Sequence, residues 1–267
     1  EGTTLGSELQ FWTWANAPTA PTVDNPTIST LDVNVNPNGN PVSTLFAIQV
    51  TNNSQYVQSN GTIGVTEHWL TDAAWGAMTV TGLSPGQQYG FQVRAQNGQG
   101  TLTAYAAVGS GTTLATTPTV TTAVATVTNL MTASSGGNVT ATGGATVTNR
   151  GVVWALSPAT PTVPGSQSTN GTGTGGFTSI LTNLTAGATY NYRAFAQNSA
   201  GTAYGAQYSL TTPCFVGSVF GLVASATNDT SFTAAWSALT GASGYTLDVS
   251  TSGTFSTSGG FASDLFI

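Results

Sequence analysis

The sequence predicts an all-β protein built from consecutive β-sandwiches. Apolar and polar residues alternate along many short segments, and one turn-and-strand motif occurs twice. Glycine, threonine, valine and asparagine are frequent, which disfavours helices. Because no segment shows the 3.6-residue spacing of an amphipathic helix, we expect strands and turns throughout.

The repeated motif predicts a sandwich corner followed by a strand. Its first copy is Leu83-Ser-Pro-Gly-Gln-Gln-Tyr-Gly-Phe-Gln-Val-Arg-Ala-Gln-Asn97. The second copy, 101 positions later (184 − 83), is Leu184-Thr-Ala-Gly-Ala-Thr-Tyr-Asn-Tyr-Arg-Ala-Phe-Ala-Gln-Asn198. Every second residue from Tyr89 to Ala95 is apolar, which is typical of a half-buried strand. The tyrosine after the turn is predicted to bond backbone at the corner through its hydroxyl.

A second motif is predicted to end each sandwich. Thr13-Trp-Ala-Asn-Ala-Pro18 aligns with Thr113-Leu-Ala-Thr-Thr-Pro118, and Ser209-Leu-Thr-Thr-Pro213 is a third copy. We interpret each as a final strand followed by a proline, which cannot continue a hydrogen-bonded ladder. The prolines divide the chain into a terminal strand of a preceding module or a donor strand (1–17), two modules (18–117 and 118–213) and an incomplete module (214–267).

The strand motif also resembles a known family. Leu-x-Pro-Gly-x-x-Tyr-x-Phe-x-Val-x-Ala-x-Asn is similar to strand F of fibronectin type III modules. The segment from Arg150 to Gly205 resembles variants that are common in large bacterial surface proteins, and Phe232 to Thr251 resembles the opening half of another module. The resemblance implies tandem immunoglobulin-like sandwiches over nearly the whole chain. Such modules serve as spacers, adhesins and pilus or sheath components.

Charge is sparse and restricts the partners. Charged residues make up 4% of the chain, with three arginines, no lysine and a net charge of −6. Nucleic acids and anionic membranes require clustered Lys and Arg, so neither is expected as a partner. No apolar run approaches the roughly 20 residues of a transmembrane helix. Weak charge repulsion favours self-association or contact with neighbouring modules, and polysaccharide is the other partner considered.

Patterns for catalysis and metal binding are lacking. His68 is the only histidine, and no nucleophile motif accompanies it and Glu67, so we interpret it as a loop or edge residue. One histidine and one cysteine cannot supply a zinc site. The dispersed carboxylates leave only a loop calcium site at Asp24 or Asp72 as an alternative. The sequence therefore predicts no enzyme and no cofactor.

The incomplete last module leaves two interpretations open. The chain is a segment of a longer tandem array, or the open half-module is completed by a strand from another subunit. The predicted donor strand contains Leu9, Phe11, Trp12 and Trp14. Strand addition uses main-chain hydrogen bonds, and head-to-tail addition that does not close gives a filament.

The lone cysteine and the tryptophans also have two interpretations each. Cys214 is either a small buried thiol near a module boundary or the site of an intermolecular disulfide. Trp69 and Trp75, with Trp12 and Trp14, either pack in a core or interface or form an aromatic platform for sugars. We favour core or interface packing.

These features predict a non-catalytic structural protein that is secreted or displayed on a cell surface. Its modules would form a stalk, sheath or filament, with head-to-tail strand complementation as one mode of assembly. The alternative is a set of carbohydrate-binding or spacer modules of a larger secreted enzyme or adhesin.

Overall fold

The computed structural model describes residues 13–214, 223–228, 231–237, 245–247 and 265–266, and these residues are almost entirely strands and turns. The strands are β1 (Thr19–Asp24), β2 (Leu31–Asn36), β3 (Leu45–Val50), β4 (Gln55–Val57), β5 (Ile63–Gly64), β6 (Leu70–Thr71), β7 (Ala77–Val80), β8 (Gln88–Gln96), β9 (Gly109–Thr112), β10 (Thr119–Asn129), β11 (Thr132–Ala141), β12 (Asn149–Leu156), β13 (Ser166–Gln167), β14 (Gly175–Leu181), β15 (Thr189–Asn198), β16 (Gly201–Tyr204), β17 (Tyr208–Thr211), β18 (Val223–Asn228), β19 (Ser231–Ala235), β20 (Thr246–Leu247) and β21 (Leu265–Phe266). The all-β prediction is confirmed, with one helical turn, α1 (Asp72–Trp75), inserted before β7.

The first sandwich comprises β1 to β9. One sheet has the order β1-β2-β7, and the other has the order β5-β4-β3-β8-β9, with β6 also paired to β3. All strand pairs are antiparallel, and β3 pairs with β8 from Leu45 opposite Gln96 to Val50 opposite Phe91. The chain therefore crosses between the two sheets from β2 to β3, from β6 to β7 and from β7 to β8, and the core lies between the sheets.

The second sandwich comprises β10 to β17 and repeats this arrangement. Its sheets have the orders β10-β11-β14 and β13-β12-β15-β16, with β17 paired to β15. The strands β12 and β15 pair along their whole shared length, from Asn149 opposite Gln197 to Leu156 opposite Tyr190. The two copies of the sequence repeat thus occupy the central strands β8 and β15.

Alternation in the sequence explains which residues form the first core. Leu31, Val33 and Val35 point inward from β2, and Phe91 and Val93 point inward from β8; all are buried. The polar residues between them are half-buried or exposed. Full burial of each such side chain contributes about 1.5–3 kcal/mol, so the inward rows dominate the stability of the sandwich.

The second sandwich departs from simple alternation on its outer face. Phe195 lies on the face of β15 opposite the core row but is fully buried. The segment 157–165 covers this face: Arg193 Nε donates to Pro161 O at 2.7 Å, and Asn191 Nδ2 donates to Ala159 O at 3.0 Å. A strand predicted to be half-buried is therefore buried on both faces.

The tyrosine predicted at each sandwich corner is confirmed. Tyr89 Oη accepts a hydrogen bond from the Ser84 N–H at 2.9 Å, and Tyr190 Oη accepts one from the Thr185 N–H at 2.9 Å. Each bond ties the start of the central strand to the turn before it. The local motif and the local structure are therefore the same in both sandwiches.

Beyond residue 214 the described residues include two pairs of strands. β18 pairs with β19 and β20 pairs with β21, all antiparallel. The rings of Trp236 and Tyr245 lie 5.5 Å apart. No helix in the described ranges is long and apolar enough to cross a membrane.

In each sandwich, a buried threonine after the last strand bonds the turn that precedes the central strand. Thr113 Oγ1 accepts from the Gln87 N–H at 3.0 Å and donates to Ser84 O at 2.7 Å. Thr212 Oγ1 makes the same bonds with the Ala188 N–H at 3.1 Å and Thr185 O at 2.6 Å.

We predict that Thr113→Val and Thr212→Val each lower the free energy of unfolding by about 1–3 kcal/mol, because a buried donor and acceptor lose their partner. Denaturant unfolding of the two variants measures this loss. Thr112→Val, an exposed neighbour, is the control and should change stability little. Equal stability of all three variants would contradict the assignment.

Candidate functional site

The connection between the two sandwiches is anchored on both sides. The Leu114 N–H donates to Thr27 O at 2.8 Å in the first sandwich. The Thr116 N–H donates to Gly143 O at 2.8 Å in the second. Only Ala115 separates the two anchored residues, so the connection has little freedom to bend. We call this region, residues 113–118 with the turns that contact it, the joint.

Two turns from different sandwiches meet at the joint. The turn Pro85–Gly86 precedes β8, and the turn Gly143–Gly144 connects β11 to β12. A Cβ on Gly86 would lie 2.1 Å from Gly144 O, and a Cβ on Gly144 would lie 2.2 Å from Pro85 O. Both glycines have positive φ, +64° and +86°. Because the backbones touch directly, only glycine fits at these two positions.

Asn198 ties the connection to the second sandwich. Its Nδ2 donates to Thr116 O at 2.7 Å and to Thr142 O at 2.8 Å. Its Oδ1 accepts from the Ala200 N–H at 2.9 Å, and the residue is buried. One side chain thus joins the connection, the β11–β12 turn and the β15–β16 turn.

The start of the first sandwich repeats this arrangement. Asn97, which corresponds to Asn198 in the sequence repeat, donates from Nδ2 to Thr13 O at 3.2 Å. Asn40 Nδ2 donates to Asn16 O and its Oδ1 accepts from the Asn16 N–H, both at 2.8 Å. The β2–β3 turn has two successive residues with positive φ, Asn38 and Gly39, as the β11–β12 turn has. Residues 13–17 are therefore bonded to the β2–β3 turn and to Asn97, much as Thr116 is bonded to the β11–β12 turn and to Asn198, although Asn97 bonds Thr13 O and not Asn16 O.

Unlike the joint, this first end is not covered by any of the described residues. A Cβ on Gly39 would meet nothing within 4 Å, and Trp14 is 84% exposed. The surface formed by residues 13–17, 37–40 and 97–100 is called the upper end below.

The far side of the second sandwich repeats the other half of the joint. The Gly187 N–H donates to Pro213 O at 3.0 Å, as the Gly86 N–H donates to Leu114 O at 3.1 Å. Cys214 follows Pro213 and so occupies the position that Ala115 has in the joint. It is exposed. The interpretation as a buried thiol is wrong, because the residue follows the last strand of the second sandwich and lies outside its core.

The proline motifs lie in connections and not in final strands. Residues 13–18 and 113–118 contain no strand; the last strand of the first sandwich ends at Thr112, and Pro18 and Pro118 directly precede β1 and β10. Proline limits a ladder at its beginning as well as at its end, so the local signal did not distinguish the two. Pro213 is separated from the final strand β17 by Thr212 alone, whereas residues 113–117 separate Pro118 from β9.

The predicted donor strand falls mainly outside the described residues. Leu9, Phe11 and Trp12 lie there, and Trp14 is described but belongs to no strand. Strand exchange between subunits stays a prediction, as does an intermolecular disulfide at Cys214.

Comparison with known families identifies the type of the first sandwich. Residues 16–112 match the fibronectin type III domain. A solved segment of two fibronectin type III domains from chicken tenascin is similar to the chain, with 14% identity and a TM-score of 0.36, covering 74% of this chain and 100% of that one. No curated protein matches the chain.

The predicted fold class of tandem fibronectin type III-like sandwiches is confirmed. Domains of this family are generally non-catalytic binding or spacer modules and are commonly extracellular. The bacterial cell-surface origin stays a prediction.

The tryptophans of the first sandwich do not form one platform. Trp75 is buried, and its Nε1–H donates to Phe46 O at 2.8 Å. His68 is half-buried, with its ring centroid 6.3 Å from that of Trp75 in an edge-on arrangement. Trp69 lies instead beside Arg94 on the outer face of the sheet. Core packing was therefore the right interpretation for Trp75.

Arg94 organises a polar and aromatic cluster on that outer face. Its Nε and Nη2 donate to the two oxygens of Glu67 at 2.7 and 2.5 Å. Its Cζ lies 5.6 Å from the Trp69 ring centroid and 4.9 Å from that of Tyr105. The hydrogen bond that Arg94 donates to the Glu67 carboxylate raises the pKa of Arg94. Burial, followed by the hydrogen bond with Tyr56, raises the pKa of Tyr105 well above 10.

The other two arginines are also held by backbone and rings. Arg150 Nη1 donates to Thr174 O at 2.8 Å, and its Cζ lies 5.3 Å from the Phe177 ring centroid. Arg193 Cζ lies 3.7 Å from the Tyr204 ring centroid. The chain has three basic side chains, and each has partners within its own sandwich.

The predicted calcium alternative gains no support from the fold. In the part of the chain that the structure describes, no three His, Cys, Asp or Glu side chains lie close enough to hold a metal ion. Asp24 ends β1 and Asp72 begins α1, so they occupy different parts of the sandwich.

The requirement for glycine at the joint can be tested by comparing a substitution there with the same substitution at a glycine outside the joint. Gly144→Ala and Gly171→Ala both place a Cβ on a residue with positive φ, +86° and +79°. That conformation costs alanine about 1–2 kcal/mol at either site. Only Gly144 would also meet backbone, whereas Gly171 has nothing within 4 Å.

We predict that Gly144→Ala lowers the free energy of unfolding more than Gly171→Ala. It should also shift the amide resonance of Gly86 in the other sandwich, as measured by denaturant unfolding and ¹H–¹⁵N NMR. If both variants lose equal stability and leave Gly86 unchanged, the two turns do not touch in solution.

Because the pKa of Tyr105 is raised in the folded chain, the free energy of unfolding varies with pH in the alkaline range. The unfolded chain releases this phenol proton near pH 10, while the folded domain retains it. The contribution of Tyr105 to the free energy of unfolding is therefore fully present below about pH 10, and it is lost as the pH rises above that value.

We predict that Tyr105→Phe reduces this fall, because phenylalanine has no proton to release. Urea unfolding of the parent and the variant, measured at steps of about one pH unit from about pH 8 to about pH 11, gives the slope of the free energy of unfolding against pH. Stability at neutral pH is the control for lost packing. An unchanged alkaline slope in the variant would contradict the assignment.

Proposed function

We propose that this chain is a non-catalytic structural component of an extracellular stalk, sheath or filament. Its sandwiches would set distance and direction because successive modules are held at a fixed angle. The observation that carries the proposal is the joint, where one residue, Ala115, separates the anchors on the two sandwiches.

The joint differs from a flexible linker in its physical basis. Flexible linkers are long, rich in Gly and Ser, and free of contacts, so the domains they join reorient freely. Here the Thr116 carbonyl is bonded to Asn198, and Gly86 and Gly144 are in backbone contact. A bend at Ala115 would break these contacts together. The geometry therefore supports a stiff spacer.

The repetition of the contacts supports an array. The upper end of the first sandwich and the turn at Gly187 of the second carry the two halves of the same joint. A contact that joins the end of one unit to the start of the next can propagate without closing, which gives a fibre or stalk. Either the next module of the same chain or a second copy of the chain would make this contact.

The surface chemistry supports an extracellular structural role. The chain carries few charges, and each of its arginines is paired within its own sandwich. Neutral hydroxyl and amide groups form most of the polar surface, so neighbouring copies repel each other weakly. We propose secretion or surface display and self-association on this basis.

The test is to make the joint flexible without changing either sandwich. Inserting Gly-Ser-Gly-Ser after Ala115 separates the two anchors, while the same insertion at the exposed turn Gly171 is the matched control. We predict that electron microscopy of the parent and the control shows straight assemblies or straight, uniform particles. The joint variant should show bent and heterogeneous particles with both sandwiches folded.

Immunogold labelling of intact source cells tests the location. Label on surface stalks, sheaths or filaments is the expected result. Label confined to the cell interior, or straight particles in the joint variant, would contradict the proposed function.

A further inference from the structure

A cleft of about 520 Å³ opens between the edges of the two sheets of the second sandwich. One wall comes from β12 and β13, and the other from the segment that follows β14. The side chains that line the cleft include Trp154, Leu156, Gln167, Thr182, Asn183 and Tyr190. Its volume is in the range of sites for small ligands.

The lining combines aromatic rings with neutral polar groups. Trp154 and Tyr190 belong to the core and reach the cleft with their edges, being 7% and 6% exposed. Gln167 and Asn183 bring amides, and Thr182 brings a hydroxyl. No lining residue is charged, so the cleft suits an uncharged molecule with many hydroxyl groups and some apolar surface.

Comparison with the first sandwich explains why the cleft is open. There the turn between β4 and β5 reaches the opposite sheet, and the Thr81 N–H donates to Gly61 O at 2.9 Å. Thr182 corresponds to Thr81 in the repeat. The second sandwich connects β13 to β14 directly through residues 168–174, and Thr182 lines the cleft instead. The backbone that fills this edge in one sandwich is thus absent from the described part of the other.

Asn183 places an amide in the cleft at a backbone position that favours glycine. Its φ is +58°, and the corresponding residue of the first sandwich is Gly82, with φ +76°. Asparagine tolerates this conformation better than other residues with a side chain, although glycine is preferred. The second sandwich therefore carries a polar side chain where the fold requires none.

An added peptide strand fits this edge poorly. Asn170 Nδ2 donates to Thr178 O, and Arg150 donates to the carbonyls of Gly173, Thr174 and Gly175. These bonds occupy the carbonyls of Gly175 and Thr178 in β14 and those of Gly173 and Thr174 in the turn before it. Strand addition depends on an uninterrupted row of main-chain bonds, and these occupied carbonyls interrupt it.

We propose that this cleft binds a short segment of a neutral oligosaccharide. Sugar hydroxyls would bond the Gln167 and Asn183 amides and the backbone near Thr182, and the apolar face of a ring would lie against Leu156 and the edge of Trp154. This inference does not depend on the array function, since binding to one sandwich requires no assembly.

The experiment is an NMR titration of the full chain with cellotetraose, maltotetraose and chitotetraose. Tetragalacturonate is the charged comparison, and a synthetic peptide with the sequence of residues 9–14 is the peptide comparison. Saturable shifts of the Trp154 indole N–H and the Gln167 and Asn183 side-chain amides with a neutral sugar are expected.

Two variants assign the binding to the cleft. Asn183→Gly matches the first sandwich and relieves the backbone, so it removes the amide without harming the fold. We expect it and Gln167→Ala to weaken binding about 3- to 10-fold each, the effect of one neutral hydrogen bond. Gln207→Ala, an exposed glutamine outside the cleft, should leave affinity unchanged.

The proposal is overturned by any of three results. These are no saturable shift with any neutral sugar at millimolar concentration, sugar binding that Asn183→Gly and Gln167→Ala leave unchanged, or cleft shifts produced by the peptide or the uronate but by none of the neutral sugars.

Discussion

Direct backbone contact between the Pro85–Gly86 and Gly143–Gly144 turns is the constraint on which the arrangement of this protein depends. Each turn belongs to a complete sandwich that is stabilised by its own core. The contact requires glycine on both sides, and it brings the connection close enough for Asn198 to bond it. Without it, the two sandwiches would be linked only by a short chain segment, and their relative direction would vary.

The same sandwich is used twice with different edges. The first fills the space beside β7 with the β4–β5 turn and α1, whose Trp75 bonds Phe46 O. The second has a short connection there and an open cleft, but covers the outer face of β15 with residues 157–165. Segments of different length between corresponding strands thus give the two sandwiches different surfaces, whereas the joint is formed by turns at their ends.

The strands and corners could be predicted from sequence because their signals are local. Alternation over a few residues identifies the inward row of β8, and the spacing from Leu83 to Tyr89 identifies the corner. The repeat also marked Asn97 and Asn198 without showing their role. Their bonds to the preceding connection are long-range, so nothing in the neighbouring residues specifies them.

The joint and the cleft escaped prediction for the same reason. Gly86 and Gly144 are separated by a whole set of strands, and a glycine in a turn signals positive φ but not a partner. The motif before Pro118 predicts a final strand, but residues 113–118 form a connection and Pro118 directly precedes β10, because a proline, which lacks an N–H donor, is compatible with either end of a strand. The cleft arises from a missing turn, which only comparison of the two folded sandwiches reveals.

A distance distribution between the two sandwiches tests the central claim most directly. Spin labels on cysteines introduced at the exposed positions Val42 and Thr169, in a Cys214→Ser background, would report on it by pulsed electron paramagnetic resonance. A rigid joint predicts a single narrow distribution, no broader than that of a pair of labels within one sandwich. A broad distribution for the unmodified joint would show that the sandwiches move independently and would contradict the account.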